Sequence, residues 1–299
     1  MSEPTAVRLD VYKTYKLYVG GKFPRSESGR VYEVTDRKTG EWLANAPHGT
    51  RKDTRDAVAA ARKAVGGWSG ATAYNRGQIL YRAAEMLQGR REQYTAEVAA
   101  AEGLSAKKAA PLVDAAVDRL VWYAGWTDKV AQIAGAANPV AGPYFNLSTP
   151  EPTGVVGIVA PQDGTGFSLL GLVSVVAPVI ATGNTAVVAL APGAPLPGLS
   201  FGEVLATSDL PGGVVNLLSG ETADIAPTLA SHADVNALDL TGVVDEEGPA
   251  SAKALETAAA ETLKRLRHPE PGTDWTAAPG TDRLLGFIET KTVWHPMGI

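Results

Sequence analysis

The chain has 299 residues, 45% of them hydrophobic, with 27 Lys and Arg against 32 Asp and Glu. That composition suits a globular protein with a sizeable core, and the mildly acidic balance leaves no basic footprint for nucleic acid or an anionic membrane. Cysteine is absent, which excludes disulfides, thiolate metal sites and thiol nucleophiles together.

In chain order, Tyr15 to Ala46 reads as short strands and turns, with Leu17-Tyr18-Val19 followed by the hairpin signal Gly20-Gly21. Asp53 can cap a helix running through Lys63. Helical spacing recurs over Arg76–Leu87, Glu92–Ala101 and Pro111–Gly125. From Val155 the pattern alternates. Buried-type strands are predicted at Val155–Ala160, Thr185–Leu190, Val214–Leu218 and Val235–Leu240. Helices are predicted at Ser168–Thr182, Leu199–Ser208, Thr222–Ser231 and Ser251–Leu266. Such alternation implies an α/β fold, a Rossmann-like parallel sheet with helices on both faces. Ligands of such sheets sit at the carboxyl ends of the strands. The loops to watch are therefore Pro161–Phe167, Ala191–Pro197, Ser219–Thr222 and Thr241–Glu247. His268 to Asp282, rich in Pro, Gly, Thr and Ala, reads as an exposed linker. Phe287-Ile288 and Thr292-Val293-Trp294 return to strand-like residues.

No apolar run reaches the roughly 18 residues of a membrane span. Met1-Ser2-Glu3-Pro4 lacks the basic and apolar regions of a secretory signal, so a cytoplasmic location is expected. His48, His232, His268 and His295 are too far apart for a local metal motif, and no metal site is expected.

The ordered blocks resemble the NAD(P)-dependent aldehyde dehydrogenases. Leu17-Tyr18-Val19-Gly20-Gly21-Lys22-Phe23 and Lys38-Thr39-Gly40-Glu41 resemble the family's start. Ala57–Arg62, Gly67-Trp68 and Arg76–Ala84 continue in register. Glu151–Gly157, Ala177-Pro178, Ala181–Thr185 and Leu210–Asn216 follow in the family's order, and the resemblance runs from about Tyr15 to Lys264. It implies residues 1–150 as N-terminal strands, helices and an oligomerisation hairpin, 151–267 as a degenerate nucleotide-binding domain, 268–282 as linker, and 283–299 as a C-terminal oligomerisation strand. Gly142–Leu147 lies where the family has its hairpin, and Glu289–Trp294 resembles the strand that pairs with a neighbouring subunit. The oligomer interface is accordingly expected at Tyr144, Phe145, Asn146, Thr292, Val293 and Trp294.

The resemblance also marks what is missing. The family's catalytic domain, with its nucleophilic Cys, lies between the cofactor domain and the last strand, and no room remains for it here. Leu266-Arg267-His268-Pro269-Glu270 stands where the family has its Glu-Leu-Gly-Gly block, and Pro269 disfavours a strand there. Pro161-Gln162-Asp163 replaces a Pro-Trp-Asn-type oxyanion loop, and an ionised Asp163 would repel a developing oxyanion. The ordinary role for Asp163 is a cap for the helix near Phe167, or a turn with Gly164. Pro161, Gln162, Thr241 and Gly242 remain as vestigial cofactor contacts, but Val187–Pro192 offers no polar group to a ribose and Asp245-Glu246-Glu247 brings negative charge close to a pyrophosphate site. No catalytic residue is assigned. No cofactor is expected, with NAD or NADP as the alternative.

Other features have ordinary readings. Trp122, Tyr123 and Trp126 read as packing, Arg90-Arg91-Glu92 as a solvated charge run, and Asp114 and Asp118 as an exposed helix face. The expected function is a non-catalytic subunit that assembles with a full-length aldehyde dehydrogenase or with itself. The alternatives are an NAD(P)-binding or sensing module, or an aldehyde oxidoreductase with unconventional chemistry.

Overall fold

The computed structural model describes residues 11–298. Met1-Ser2-Glu3-Pro4, expected to carry no secretory signal, lie outside the described residues. A hairpin of β1 (Val31–Thr35) and β2 (Trp42–Pro47) precedes four long helices: α1 (Arg51–Ser69), α2 (Ala73–Gln88), α3 (Arg91–Glu102) and α4 (Ala106–Trp126). A short α5 (Val130–Ala134), β3 (Ala136–Ala137) and β4 (Tyr144–Pro152) follow. The alternating part comprises β5 (Val155–Val159), a π-helical turn at Phe167–Gly171 running into α6 (Leu172–Ala181), β6 (Thr185–Ala189), α7 (Leu196–Ala206), β7 (Val215–Leu218), α8 (Thr222–Ser231), β8 (Ala237–Asp239), α9 (Ala252–Ala260) and β9 (Arg265–Arg267). α10 (Asp282–Leu285) and β10 (Ile288–Pro296) close the described chain.

The five strands of the alternating part form one parallel sheet in the order β7-β6-β5-β8-β9. β5 is apolar on both faces because both faces are covered. Val155 and Val159 pack with Val58, Ile225 and Leu229 from α1 and α8. Val156 and Ile158 face the larger core with Val176 and Leu199 from α6 and α7. Gly157 is needed for closeness, since a Cβ there would press on the Leu229 and Leu238 side chains. Upstream, Tyr18 pairs antiparallel with Leu217 through two backbone hydrogen bonds of 3.0 and 2.7 Å, so the segment around Tyr18 covers part of the β7 edge. α1 starts at a reciprocal cap. The Thr50 hydroxyl accepts from the Asp53 amide, and the Asp53 carboxylate accepts from the Thr50 amide, so Asp53 serves from the third helical position rather than as the cap itself.

One expectation changes here. The helix foreseen at Ser251–Leu266 stops at Ala260 and Arg265–Arg267 forms the fifth strand. Leu263 has φ 52°, which helical geometry does not allow, so the chain reverses and returns parallel to β8. The strand ends before Pro269, so the proline never has to donate to the ladder. The terminal strand pairs with this chain's own β4 along nine residues, Ile288 opposite Pro152 through Pro296 opposite Tyr144, and the expected pairing with a neighbouring subunit would fall to its other edge. The sheet order is β10-β4-β3, with β10 at the open edge.

Candidate functional site

The carboxyl ends of β5, β6, β7 and β8 meet at one crest of the sheet, where a ligand of this architecture would rest. Pro161, Gln162, Thr241 and Gly242 come together there. The Gln162 side chain donates to the Gly242 carbonyl at 3.0 Å and to the Thr222 hydroxyl at 3.2 Å, tying the loops after β5 and β8 to the start of α8. The Gly242 amide donates to the Val159 carbonyl at 3.1 Å, and a Cβ on Gly242 would overlap the Ala160 carbonyl, so only glycine fits. The Thr241 amide donates to Asp239 Oδ1 at 2.9 Å, and its hydroxyl is turned to the same oxygen. Gln162, Thr241 and Gly242 are thus engaged within the protein.

Asp239, at the end of β8, was not singled out from the sequence. It is fully buried, and burial raises its carboxyl above the usual carboxylate range, while Arg283 at 3.5 Å and the Thr241 hydrogen bonds oppose the rise. An isolated carboxylate at that depth would be costly, which accounts for a cation brought from far along the chain.

Asp163 is exposed and makes no cap. Glu102, from the end of α3, takes that role. Its carboxylate accepts from the Gly166 amide at 2.7 Å, the Ser168 amide at 3.1 Å and the Ser168 hydroxyl at 2.6 Å. The donors at the start of the π-helical turn are therefore satisfied by a residue 64 positions upstream. Such a partner has no local sequence signal.

Residues 268–282, expected as an exposed linker, lie across the crest. Trp275 is 4% exposed, with its ring against Gly164 and Gly171. Arg119 of α4 is buried and donates to the Trp275 carbonyl at 3.0 Å, the Ala277 carbonyl at 2.8 Å and the Ser174 hydroxyl at 2.6 Å. The Arg283 guanidinium stands 5.4 Å from the Trp275 ring centroid and bonds Glu270 at 2.6 Å. Arg267 adds contacts to Glu270 at 2.6 Å and Asp282 at 3.0 Å. The Pro- and Gly-rich composition conceals this docking, because its anchors sit on other elements.

The remaining crest cavity is 260 Å³, lined by Thr35, Arg37, Gln162, Phe167, Ala191 and Gly193. The α8 N-terminus carries Glu221 at the cap position and Asp224 in its first turn. The Ser251 side chain closes the α9 N-terminus, accepting from the Ala254 amide at 3.4 Å. A larger groove of 830 Å³ lies away from the crest between α2 and α4, beside Tyr74, Tyr81 and Val121. Among the described residues no cluster of three His, Cys, Asp or Glu could hold a metal, and no helix is long and apolar enough to cross a membrane. Arg91 clamps Asp114 at 2.5 and 2.6 Å, and Arg90 reaches Glu203 at 3.3 Å. The charge run and part of the supposed free acidic face are therefore paired with one another and with α7. Trp122, Tyr123 and Trp126 stack along α4, with Tyr123 buried.

The residues expected at the interface gather on the β10-β4-β3 sheet. Trp294 lies opposite Asn146 and 5.8 Å from the Tyr144 ring, while Val293 lies opposite Leu147. Phe145 and Trp294 are 57% and 59% exposed, and Tyr144, Leu147 and Val293 are also open. Asn146 differs. It is buried and its side-chain oxygen accepts from Asn138 at 2.6 Å, so it fixes the hairpin instead of presenting a surface.

Retinal dehydrogenase 2 of Gallus gallus is 34% identical over 81% of this chain and 46% of its own length. The mitochondrial benzaldehyde dehydrogenase of Antirrhinum majus is 34% identical over 80% of this chain and 43% of its own. The NAD+ complex of an aldehyde dehydrogenase from Bacillus cereus superposes with a TM-score of 0.77 at 27% identity, covering 85% of this chain and 50% of that one. The chain thus spans about half the length of the curated relatives it matches. Residues 23–272 match the profile of the aldehyde dehydrogenase family from end to end of the crest and its supporting helices, and the chain belongs to that family.

Proposed function

We propose that this chain is a non-catalytic aldehyde dehydrogenase-like subunit that assembles with a full-length NAD(P)-dependent member of the family. The observation that carries this reading is the pairing of a chain without any thiol with an open, nine-residue β10 edge bordered by Phe145, Leu147, Val293 and Trp294. Thioester chemistry on an aldehyde needs a thiolate, and a Ser or Thr alkoxide needs an adjacent base to form. The crest residues are spent on one another. An exposed edge strand with large apolar side chains is a template for another sheet edge.

The donor set does not fit a dinucleotide. Two phosphates need free amides or cations; the α8 start is acidic, Ser251 closes the α9 start, Glu102 takes the donors of the π-helical turn, Pro195 and Pro197 remove amides from the α7 start, and Arg37 beside the cavity is a single cation against two phosphates. Ala189-Leu190-Ala191 offers a ribose no hydrogen-bonding side chain. The cavity of 260 Å³ is below the roughly 300–1,000 Å³ of ordinary ligand pockets.

The test is co-expression of the chain with each full-length aldehyde dehydrogenase of its own genome, read by co-purification and light scattering. A defined hetero-oligomer that the double change Val293→Lys, Trp294→Lys abolishes is expected. A chain that stays alone beside every such enzyme, or that oxidises aldehydes by itself, sinks the proposal.

A further inference from the structure

The parallel sheet leaves its crest to be covered by something, and residues 268–287 cover it. This segment leaves β9, donates from the Glu270 amide to the Thr241 carbonyl at 3.3 Å, and passes its Thr273 carbonyl close to Gly164. It then drops the Trp275 indole into a slot floored by glycine. Gly171 is essential to that fit. A Cβ there would stand 3.2 Å from both the Trp275 ring and Pro161, so a larger side chain in the π-helical turn would contest the indole's place. Arg119 reaches from α4 to hold the two carbonyls that follow the slot, and Arg283 returns to Asp239 and the Thr241 hydroxyl. The strap thus bonds directly to Thr241 and borders the loop carrying Pro161, two of the positions where a ligand of this sheet would be held.

The attachments differ in kind from those of a core element. Apart from Trp275, Arg283, Leu284 and Phe287, the strap's side chains are half-buried or open to solvent. Up to Asp282 its hold on the sheet is a few polar contacts and one ring, and beyond that Leu284 and Phe287 enter the main core. A segment fixed at isolated points can leave without melting what lies beneath.

We propose that residues 268–282 are a latch, a self-docked strap that closes the crest over β5 and β8 to any ligand or second domain and can release while the sheet stays folded. The Trp275 ring is its bolt, and Arg119 and the Arg283–Asp239 pair hold it shut. The inference does not depend on whether the chain assembles with a partner. It concerns contacts within one chain and is read on the chain alone.

Hydrogen exchange on the full chain tests it. In the wild type, strap amides near Trp275 exchange at least about 100-fold slower than free coil. Trp275→Ala speeds them at least tenfold while β5 and β8 amides keep their protection. Trp275→Phe, which leaves a smaller ring in the slot, gives an intermediate rate and decides the matter should the alanine variant fail to accumulate. Wild-type strap amides that exchange as free coil overturn the latch. So do β5 and β8 amides that lose protection in step with the strap, since the segment would then be ordinary core. NAD is the third probe. If it binds the wild type and leaves strap protection unchanged, the crest was never closed; binding that frees the strap supports the competition.

Discussion

Glu102→Ala removes the one carboxylate that organises the start of the π-helical turn, and its cost can be worked from the contacts. Three hydrogen bonds are lost, two from backbone amides at 2.7 and 3.1 Å and one from the Ser168 hydroxyl at 2.6 Å. The hydroxyl can rotate to another acceptor, but the amides cannot turn. Stranding a buried donor costs about 1–3 kcal/mol. Two such donors give about 2–4 kcal/mol after some access of water. Glu102→Gln keeps one carbonyl oxygen but sets an amide group against the second donor, so about half that loss is expected. Urea unfolding followed by circular dichroism measures it, as a lower midpoint at unchanged slope. The alanine variant's Tm should fall by roughly 3–6 °C. Asp163→Ala is the control and should stay within about 0.5 kcal/mol of wild type. If the alanine change at Glu102 is equally silent, or the Asp163 change is the costly one, the assignment of the cap is wrong.

Three further outcomes follow from the same contacts. Asn184→Ala should cost about 2–4 kcal/mol in the same assay, because the buried amide links the Gly154 amide at 2.8 Å to the Phe287 carbonyl at 2.9 Å, the two chain positions leading into β5 and β10. Gly242→Ala should cost more than about 3 kcal/mol or prevent accumulation, since its new methyl would overlap the Ala160 carbonyl; a neutral effect would mean the β8 loop is set differently. Burial raises the Glu97 carboxyl above its ordinary value of 4.5, with Gln93, Lys13 and Ser200 opposing. A raised folded-state value means that the native state holds its proton longer than the unfolded chain. Stability from this group is therefore full below 4.5 and lost as pH rises through the raised value. The Tm advantage of Glu97→Gln over wild type should grow with pH across that window, and a shrinking advantage would contradict the burial argument.

The parallel sheet was legible because its strands are buried on both faces, which leaves runs such as Val155–Val159 that few other environments tolerate. β9 was not legible. Arg265-Leu266-Arg267 is short and polar, and its preceding residues keep helical spacing until Leu263 breaks the geometry with a positive φ. The grouping of Pro161, Gln162, Thr241 and Gly242 at one crest followed from topology alone. The hydrogen bonds of Gln162, Thr241 and Gly242 did not, nor did Asp239, which reads as an interruption of the apolar run Ala237–Leu240 until Arg283 is seen beside it. Docking of Trp275 depends on Gly171 and Arg119, both far upstream, so residue composition suggested an open linker where spatial neighbours make a seated strap.

The pairing of β4 with β10 has a consequence for synthesis. Tyr144–Pro152 leaves the ribosome long before Ile288–Pro296 is made. During that interval the nascent chain carries β4 with only the two-residue β3 beside it and its other edge unpaired. Closing so long a loop is slow, and an unmatched strand invites the wrong neighbour while it waits. Translation speed and chaperone supply should therefore govern the yield of folded protein more than the stability of the finished molecule does.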